Sequence, residues 1–406
     1  MLVFNMKRIF TNSIIFVGCE ILSKSVPFLL LPYLTRVLSP EDFGAVGLFT
    51  SLQAFFIICV SLSFDGAIAR YYYRYGKRNF DSLINHSLCL IIALTFFTLL
   101  ILLFSPWDNF LTKYALITAA LQAFFNVILT SKQCQKKATQ YAFYQISFAI
   151  ISAVTTVAFF KVWSYSVDER IKSIAFSLTV MIIIFLFSNL RKKRKSFHIK
   201  TFNLNFFYFI SFGAPLIIHQ MSLYVKGQFD RVLIAHTFTL SDLAIYTAAF
   251  QFASCLNVVI MALNKALLPY YFESCKNGYF DHERVKNWFL KSIPLMMLPA
   301  VIMYFIPDSL FTFILGDKYS GVNHLATLFV LGFCMQIPYL LAVNFMFYHN
   351  DNKKVAFITF TSSIVHLISL FILKSFGVAY LPFALITSNT ICLILLFFVG
   401  MSKHAK

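Results

Sequence analysis

Charged residues follow a pattern that few folds can accommodate. Long stretches without Asp, Glu, Lys or Arg alternate with short charged connecting loops, called joints below. A helix needs roughly 20 mostly apolar residues to cross about 30 Å of hydrocarbon, and it satisfies its own backbone hydrogen bonds there. The chain is 59% hydrophobic and only 12% charged, with a mean hydropathy of +0.76, whereas charged residues make up about a quarter of soluble domains. The sequence therefore predicts an all-α polytopic membrane protein.

Twelve segments meet the requirement for a transmembrane helix. They run approximately over residues 10–36, 43–64, 82–106, 110–131, 139–160, 173–190, 206–234, 243–264, 288–306, 322–348, 355–373 and 377–401. Prolines lie within or at the edges of several segments, where neighbouring helices compensate for the lost hydrogen bond, so we expect kinks. The joints between segments are too short for a folded soluble domain.

The Lys and Arg residues are unequally divided between alternate joints. About 23 lie on the side of the N-terminus and about 7 on the other side, and basic residues are retained in the cytoplasm. We therefore expect both termini to be cytoplasmic and the basic run Arg191 to Lys195 to be topogenic. The first segment contains Pro27 and Pro32 and lacks a small-residue cleavage site, so we expect it to be retained. This distribution explains the net charge of +18 without nucleic-acid binding.

An internal repeat relates the two halves of the chain at a spacing of about 200 residues. The second segment opens with LSPEDFG at residues 38–44, and the eighth opens with FTLSDLA at residues 238–244. The two segments also end alike, with AIARYY at residues 67–72 and LLPYY at residues 267–271. Because an even number of helices separates the copies, both halves enter the membrane in the same sense.

The repeat predicts two six-helix lobes around a central cavity, related by an axis along the membrane normal. The N-terminal lobe is expected over residues 1–190 and the C-terminal lobe over residues 206–406. A basic cytoplasmic linker over residues 191–205 would join them.

Ionisable residues interrupt the first two segments of each half. They are Glu20, Lys24, Asp65, Lys226, Asp230, Arg231 and Lys265. Burying an ionised group at bilayer depth costs between about 3 and 15 kcal/mol, so such residues normally face a hydrated cavity or each other. Glu20 and Lys24 are four residues apart and share one helix face, which predicts an ion pair. The same spacing predicts a pair between Lys226 and Asp230.

These charges have two interpretations. They could be structural ion bridges that lower the cost of burial. Alternatively, four bases against three acids give a cavity with a positive excess that suits an anionic substrate, because Arg grips phosphate oxygens bidentately and Lys acts as a point charge. In the second interpretation the substrate-binding residues are Lys24, Lys226, Arg231 and Lys265. The ion-pairing or ion-coupling residues are then Glu20, Asp65 and Asp230.

Other kinds of site find little support in the sequence. The eight cysteines are spread singly, without the close pairs of metal or redox sites. A Gly-rich phosphate loop, a zinc-type His motif and a serine elbow are all missing, so we expect no cofactor, no bound metal and no enzymatic activity. His219 and His236 are interpreted as hydrogen-bond partners between helices, and the tyrosine clusters as an interfacial aromatic belt.

Three short stretches carry a family resemblance. They are PYLTRVLSPEDFG at residues 32–44, Asp230-Arg231, and the Ala244-Ile245-Tyr246 motif that opens the eighth segment. Together they resemble polysaccharide flippases of the O-antigen (Wzx) type, although Ala244 stands where Gly is commoner. Length and number of segments agree over the full chain, while the motif matches are confined to these stretches.

The resemblance implies membership of the multidrug, oligosaccharidyl-lipid and polysaccharide exporter superfamily. In that superfamily two six-helix lobes rock between inward-open and outward-open states around a cationic cavity. The implied substrate is a polyprenyl-pyrophosphate-linked oligosaccharide, moved across the inner membrane for O-antigen, lipopolysaccharide or other surface polysaccharide biosynthesis.

Several questions about partners and mechanism stay open at this point. Beyond the membrane lipids, we consider a coupling proton or sodium ion and a complex with a polysaccharide polymerase. One alternative function is a drug or metabolite exporter of the same superfamily. The other is a membrane enzyme of glycan assembly such as a polymerase, which the short external joints disfavour.

Overall fold

The computed structural model describes residues 2–77, 79–189, 199–349 and 351–400, and in these ranges the side chains at 2–17, 20, 189, 199–200 and 214–215 are not described. The described chain consists of helices and short connections, without a strand. The α-helices are α1 (Leu2–Val37), α2 (Pro40–Ser61), α3 (Phe64–Tyr75), α4 (Phe80–Leu103), α5 (Phe110–Cys134), α6 (Ala138–Val162), α7 (Val167–Asn189), α8 (Ile199–Gly227), α9 (Phe229–Thr237), α10 (Leu240–Lys276), α11 (His282–Tyr304), α12 (Asp308–Leu315), α13 (Val322–Cys334), α14 (Gln336–Tyr348), α15 (Asn352–Leu373) and α16 (Phe383–Leu395). Short 3₁₀ and π turns occupy Asp317–Tyr319, Lys374–Phe376, Val378–Tyr380 and Leu396–Gly400.

Across the part of the chain that the structure describes, each of the twelve predicted segments coincides with one helix or with consecutive helices. Within the described residues, nine helices are long and apolar enough to cross a membrane, or eleven if each of two bent pairs is one span. The bends measure 48° between residues 201–213 and 216–227, and 73° between α11 and α12. The predicted class, an all-α polytopic membrane protein, is confirmed. The basic run Arg191 to Lys195 lies outside the described residues.

Large apolar side chains point away from the helix bundles. Leu29, Phe96 and Phe313 are 73%, 62% and 74% exposed, respectively. In a water-soluble protein, large contiguous patches of this kind mark interaction surfaces or aggregation hazards. On a chain of this hydropathy they form the surface expected to face lipid tails.

The repeat is visible in the way two helices begin. Ser39 caps α2, because its hydroxyl accepts the backbone N–H of Asp42 at 3.1 Å. Thr239 caps α10 by the same bond from the N–H of Asp242, also at 3.1 Å. A side-chain cap satisfies one of the backbone donors left over at a helix start. Both copies therefore begin the helix with the same kind of N-cap at the same relative position.

The chain forms two compact units. The first comprises Met1–Pro27 and Val46–Tyr224, and the second comprises Phe28–Ala45 and Val225–Lys406. This division differs from the predicted lobes in two places, because residues 28–45 pack with the second unit and the part of α8 up to Tyr224 packs with the first. The two-lobed arrangement around a cavity stays a prediction.

In the first unit, α5 packs against α3, α4, α6 and α7. Buried residues of α5, α6 and α7 form an apolar cluster of Phe125, Ile128, Leu129, Tyr144, Leu178 and Met181. The second predicted segment does not run straight to its end. Leu62 and Ser63 adopt positive φ angles of 41° and 59°, which interrupts the helix between the end of α2 at Ser61 and the start of α3 at Phe64.

In the second unit, α13 packs against α10 and α11, and α15 packs against α16. The segment at residues 28–45 joins this unit through the start of α10. The hydroxyl of Ser241 donates to Glu41 at 2.5 Å. At Gly44 the two helices come so close that a Cβ would lie 1.9 Å from the carbonyl oxygen of Leu240. The guanidinium of Arg36 donates to the Phe313 carbonyl at the end of α12.

Candidate functional site

The seventh predicted segment is interrupted next to several polar residues of the second unit. α8 ends at Gly227 and α9 begins at Phe229, with Gln228 between them outside helical geometry. The break falls between Lys226 and Asp230, so the spacing of four residues no longer places both side chains on one helix face. The predicted ion pair between them is wrong, because each side chain has other partners in the structure.

Lys226 is held by neutral oxygens from two other helices. Its Nζ donates to the hydroxyl of Ser362 on α15 at 3.0 Å and to Oδ1 of Asn389 on α16 at 2.8 Å. Asn389 is itself anchored, since its Nδ2 donates to the carbonyl of Gly332 on α13 at 2.9 Å. The hydroxyl of Ser362 donates to the carbonyl of Ser388 at 2.7 Å. These bonds fix the position of the ammonium without cancelling its charge.

Asp230 is fixed by Tyr246, the tyrosine of the motif at the start of the eighth segment. The Tyr246 hydroxyl donates to Oδ2, and the backbone N–H of Arg231 donates to Oδ1 at 2.9 Å. Asp230 is 2% exposed and Tyr246 is 1% exposed. Two of the stretches that carry the family resemblance therefore meet in a buried hydrogen bond, and a carboxylate buried this deeply requires such donors.

The guanidinium of Arg231 donates hydrogen bonds to residues three and four positions earlier in the chain. Its Nη1 donates to the side chain of Gln228 and to the Gly227 carbonyl at 3.4 Å. The guanidinium also lies over the ring of Phe250 on α10, 4.3 Å from the centroid. Its Nε has no hydrogen-bond partner among the described residues although it is buried. The side chain thus keeps a donor available inside the bundle.

His366 on α15 completes the polar cluster of the second unit. It is 2% exposed, and its Nδ1 lies 3.4 Å from the Ser388 hydroxyl. Its Nε2 has no hydrogen-bond partner in the described part of the chain. The backbone carbonyl of Ser388 also accepts a hydrogen bond from the hydroxyl of Ser362 that binds Lys226. Hydrogen bonds therefore link Lys226 on α8 with polar residues of α15 and α16, namely Ser362, His366, Ser388 and Asn389, in one polar cluster.

Asp65 lies in the first unit, in the first turn of α3. It lines a small cavity of about 90 Å³ whose polar residues are Ser61, Asp65, Asn126 and Gln220. Gln220 also donates to the hydroxyl of Ser63 at 2.9 Å, next to the break between α2 and α3. Because the cavity is lined by a carboxylate, two amides and a hydroxyl, it suits water or a small cation.

Three further residues were predicted for the site, and they are Lys24, Lys265 and Glu20. Lys24 on α1 and Lys265 on α10 are both exposed. The side chain of Glu20 lies outside the described residues, so its predicted pair with Lys24 stays a prediction. In the described part of the chain, no group of three or more His, Cys, Asp or Glu is placed to hold a metal ion.

Sequence reasoning missed four members of the cluster: Ser362, His366, Ser388 and Asn389. Polar residues of these types recur throughout apolar spans as helix-to-helix partners, and nothing in the local sequence sets these four apart. Tyr246 belongs to a motif that carries the family resemblance, but the sequence patterns predict no role for it. A signal for it existed, since a buried acid needs a nearby donor and the motif follows Asp230 within 16 residues.

The fold is shared with solved transporters. It matches the outward-facing conformation of a multidrug resistance MATE family transporter of the MOP superfamily with a TM-score of 0.61, at 18% identity, covering 96% of this chain and 94% of that one. It matches an inward-facing conformation of such a transporter with a TM-score of 0.62, at 18% identity, covering 94% and 97%. At this identity the likeness shows the fold alone.

Two similar proteins come from Haemophilus influenzae. "Lsg locus putative protein 1" is 36% identical over 404 residues, which is 98% of this chain and 99% of that protein. An "Uncharacterized membrane protein" is 34% identical over 381 residues, 93% of each chain. The profile of the family described as "Polysaccharide biosynthesis protein" matches residues 9–275. With a match over more than half its length, and with motifs that resemble polysaccharide flippases on a MATE-like fold, the chain belongs to this polysaccharide biosynthesis family.

Proposed function

We propose that this protein is a flippase for a polyprenyl-pyrophosphate-linked oligosaccharide. It would move the repeat unit of a surface polysaccharide, such as an O-antigen, from the cytoplasmic to the outer leaflet of the inner membrane. Both termini would lie in the cytoplasm, as the distribution of Lys and Arg predicts. Family membership supports a role in polysaccharide biosynthesis, and the MATE-like fold supports transport rather than synthesis.

The main observation behind the proposal is that Lys226 is hydrogen-bonded to neutral oxygens. Its ammonium lies inside a helix bundle and is bound by a hydroxyl and an amide oxygen instead of a carboxylate. A structural ion bridge would pair the charge, since an unpaired charge is costly at membrane depth. A positive charge that is positioned but not neutralised suits an anionic ligand such as a pyrophosphate.

Arg231 supports the same conclusion. Its guanidinium lies over an aromatic ring and keeps a buried N–H without a partner among the described residues. An Arg in this state can still bind phosphate oxygens by paired hydrogen bonds. Lys24 and Lys265 stay in the proposed substrate-binding set as predictions.

Energy would come from a coupled ion, and we assign the coupling site to Asp230. The carboxylate is buried and accepts a hydrogen bond from Tyr246, so loss or gain of a proton or sodium ion there would change the hydrogen bond that joins α9 to α10. Glu20 remains the alternative site predicted from the sequence. If coupling involves Asp230, D230N should leave transport insensitive to the ion gradient.

The test is deletion of the gene followed by leaflet-selective labelling of lipid-linked oligosaccharide. The proposal expects single repeat units to accumulate on the cytoplasmic leaflet while surface glycan disappears. Repeat units that reach the outer leaflet without being polymerised would identify a polymerase. Unchanged surface glycan together with altered drug tolerance would identify an exporter instead.

A further inference from the structure

The helix α3 differs from its counterpart in the second half of the chain. In the repeat, residues 64–75 correspond to residues 264–275, which lie in the uninterrupted helix α10. The first copy breaks at Leu62 and Ser63, two adjacent residues other than glycine with left-handed backbone angles. Such conformations cost about 1–3 kcal/mol each and persist where the surrounding structure enforces them, often at functional sites.

The neighbouring helix α8 contacts both α3 and the break that precedes it. Gly213 lets the α8 backbone approach the break so closely that a Cβ there would lie 2.3 Å from the Leu62 carbonyl oxygen. The Tyr208 hydroxyl donates to the carbonyl of Ala67 at 3.0 Å, and the rings of Phe64 and Phe209 lie 4.6 Å apart. The helix is therefore docked at several points along its length.

Docked in this way, α3 presents two arginines on one face. Arg70 and Arg74 are four residues apart, and both side chains are exposed. The guanidinium of Arg70 lies 4.8 Å from the ring centroid of Phe212, and that of Arg74 lies 5.4 Å from that of Tyr75. Neither arginine forms an ion pair or a hydrogen bond through its side chain within the described chain. Ring stacking orders the guanidinium groups and leaves their N–H donors available.

The second half of the chain lacks this arrangement. Tyr270 and Ser274 stand at the positions equivalent to Arg70 and Arg74. If the arginines only set membrane orientation, neither an enforced break nor ring stacking would be needed, because the positive-inside effect depends on charge and location. The basic pair and the break in the helix occur together in one repeat, and both are missing from the equivalent part of α10.

We propose that Arg70 and Arg74 on α3 form a capture site for the pyrophosphate of the lipid-linked substrate. The inference rests on the proposed function and on the orientation that places this end of the second span at the cytoplasmic leaflet. Two guanidinium groups on adjacent helical turns can each bind phosphate oxygens bidentately. The exposed rings of Tyr73 and Tyr75 flank the arginines and provide apolar faces for the first sugars of the head group.

The test measures binding of geranylgeranyl pyrophosphate to the purified full-length protein in nanodiscs of phosphatidylethanolamine and phosphatidylglycerol. Four proteins are compared: the parent, R70Q/R74Q, R70K/R74K, and the control K136Q/K137Q. The control removes the same charge from an exposed basic pair of the same unit, on the side that the Lys and Arg count assigns to the cytoplasm. R70K/R74K keeps the charge, and hence the orientation, but loses paired hydrogen bonds and stacking.

The proposal expects the Kd to rise about tenfold or more in R70Q/R74Q and at least about threefold in R70K/R74K, with the control within about twofold of the parent. Binding by R70K/R74K that equals the parent would overturn it, as would full competition by phosphatidylglycerol, which would identify a phospholipid site. A parent protein that does not bind the probe would refute the proposed substrate class as well. Normal probe binding by R70Q/R74Q would refute only the capture site.

Discussion

Replacing Gly44 by alanine tests a close helix approach in the second unit. At Gly44 the start of α2 lies against the start of α10, and a Cβ built there falls 1.9 Å from the Leu240 oxygen and 3.3 Å from the backbone nitrogen of Ala244. The obstacle is backbone, so no rotamer change can relieve it. The helices must separate if G44A is to fold.

The size of the effect follows from these distances. A carbon and a carbonyl oxygen approach to roughly 3.3 Å, so the two helix starts would have to move apart by about 1.4 Å, given the 1.9 Å separation that the present backbone allows. Overpacking of this kind typically costs about 1–3 kcal/mol. Alanine also favours a helix over glycine by about 1 kcal/mol, which offsets part of that cost.

The matched control is G18A on α1, because nothing lies within 4 Å of a Cβ at Gly18. This variant gains the helix preference without the clash, so the two variants should differ by the overpacking cost alone. Thermal unfolding followed by intrinsic fluorescence in the same detergent measures the difference. We expect G44A to unfold below the parent and G18A to unfold at or above it. If G44A is as stable as G18A, the claim that α2 and α10 lie in backbone contact at Gly44 is refuted.

Three further substitutions test individual interactions. Y246F removes the hydroxyl that donates to Asp230 and should lower stability by about 1–3 kcal/mol; the control Y348F, at a residue that is 39% exposed, should unfold like the parent. K226Q keeps a hydrogen-bond donor but removes the charge, so it should abolish surface glycan in a complementation assay at normal protein levels; full glycan would contradict the assignment. G213A places a Cβ 2.3 Å from the carbonyl at the α2–α3 break and should cost about 1–3 kcal/mol in thermal unfolding.

The helices could be predicted from the sequence because backbone polar groups in a bilayer must form their hydrogen bonds within the protein. Long apolar segments must be helical to satisfy their backbone, and in the described residues each of the twelve predicted segments is helical apart from short turns. The repeat also places Ser39 and Thr239 at equivalent positions, and both residues prove to be helix caps. Such features depend on residues close together in the chain.

The side-chain partners could not be predicted in the same way. The pairing of Lys226 with Asp230 assumed a continuous helix, and the break at Gln228 removed that premise. No glycine–proline pair or run of turn residues marks the break in the sequence. The partners that Lys226 does have, Ser362 and Asn389, are 136 and 163 residues away, and only the tertiary structure of the second unit brings them together.

The duplicated sequence explains the scaffold, and the differences between the copies explain the candidate sites. The first copy breaks at the end of the second span, at Leu62 and Ser63, while the equivalent part of α10 continues. The second copy breaks in its own first span at Gln228, while α1 continues through Val37. Each break is accompanied by ionisable residues, with Asp65 and the arginines of α3 at one and the cluster around Lys226 at the other. An interrupted helix redirects side chains and leaves backbone groups available for polar partners. We therefore expect the proposed charged head group to bind at the positions where the repeats diverge.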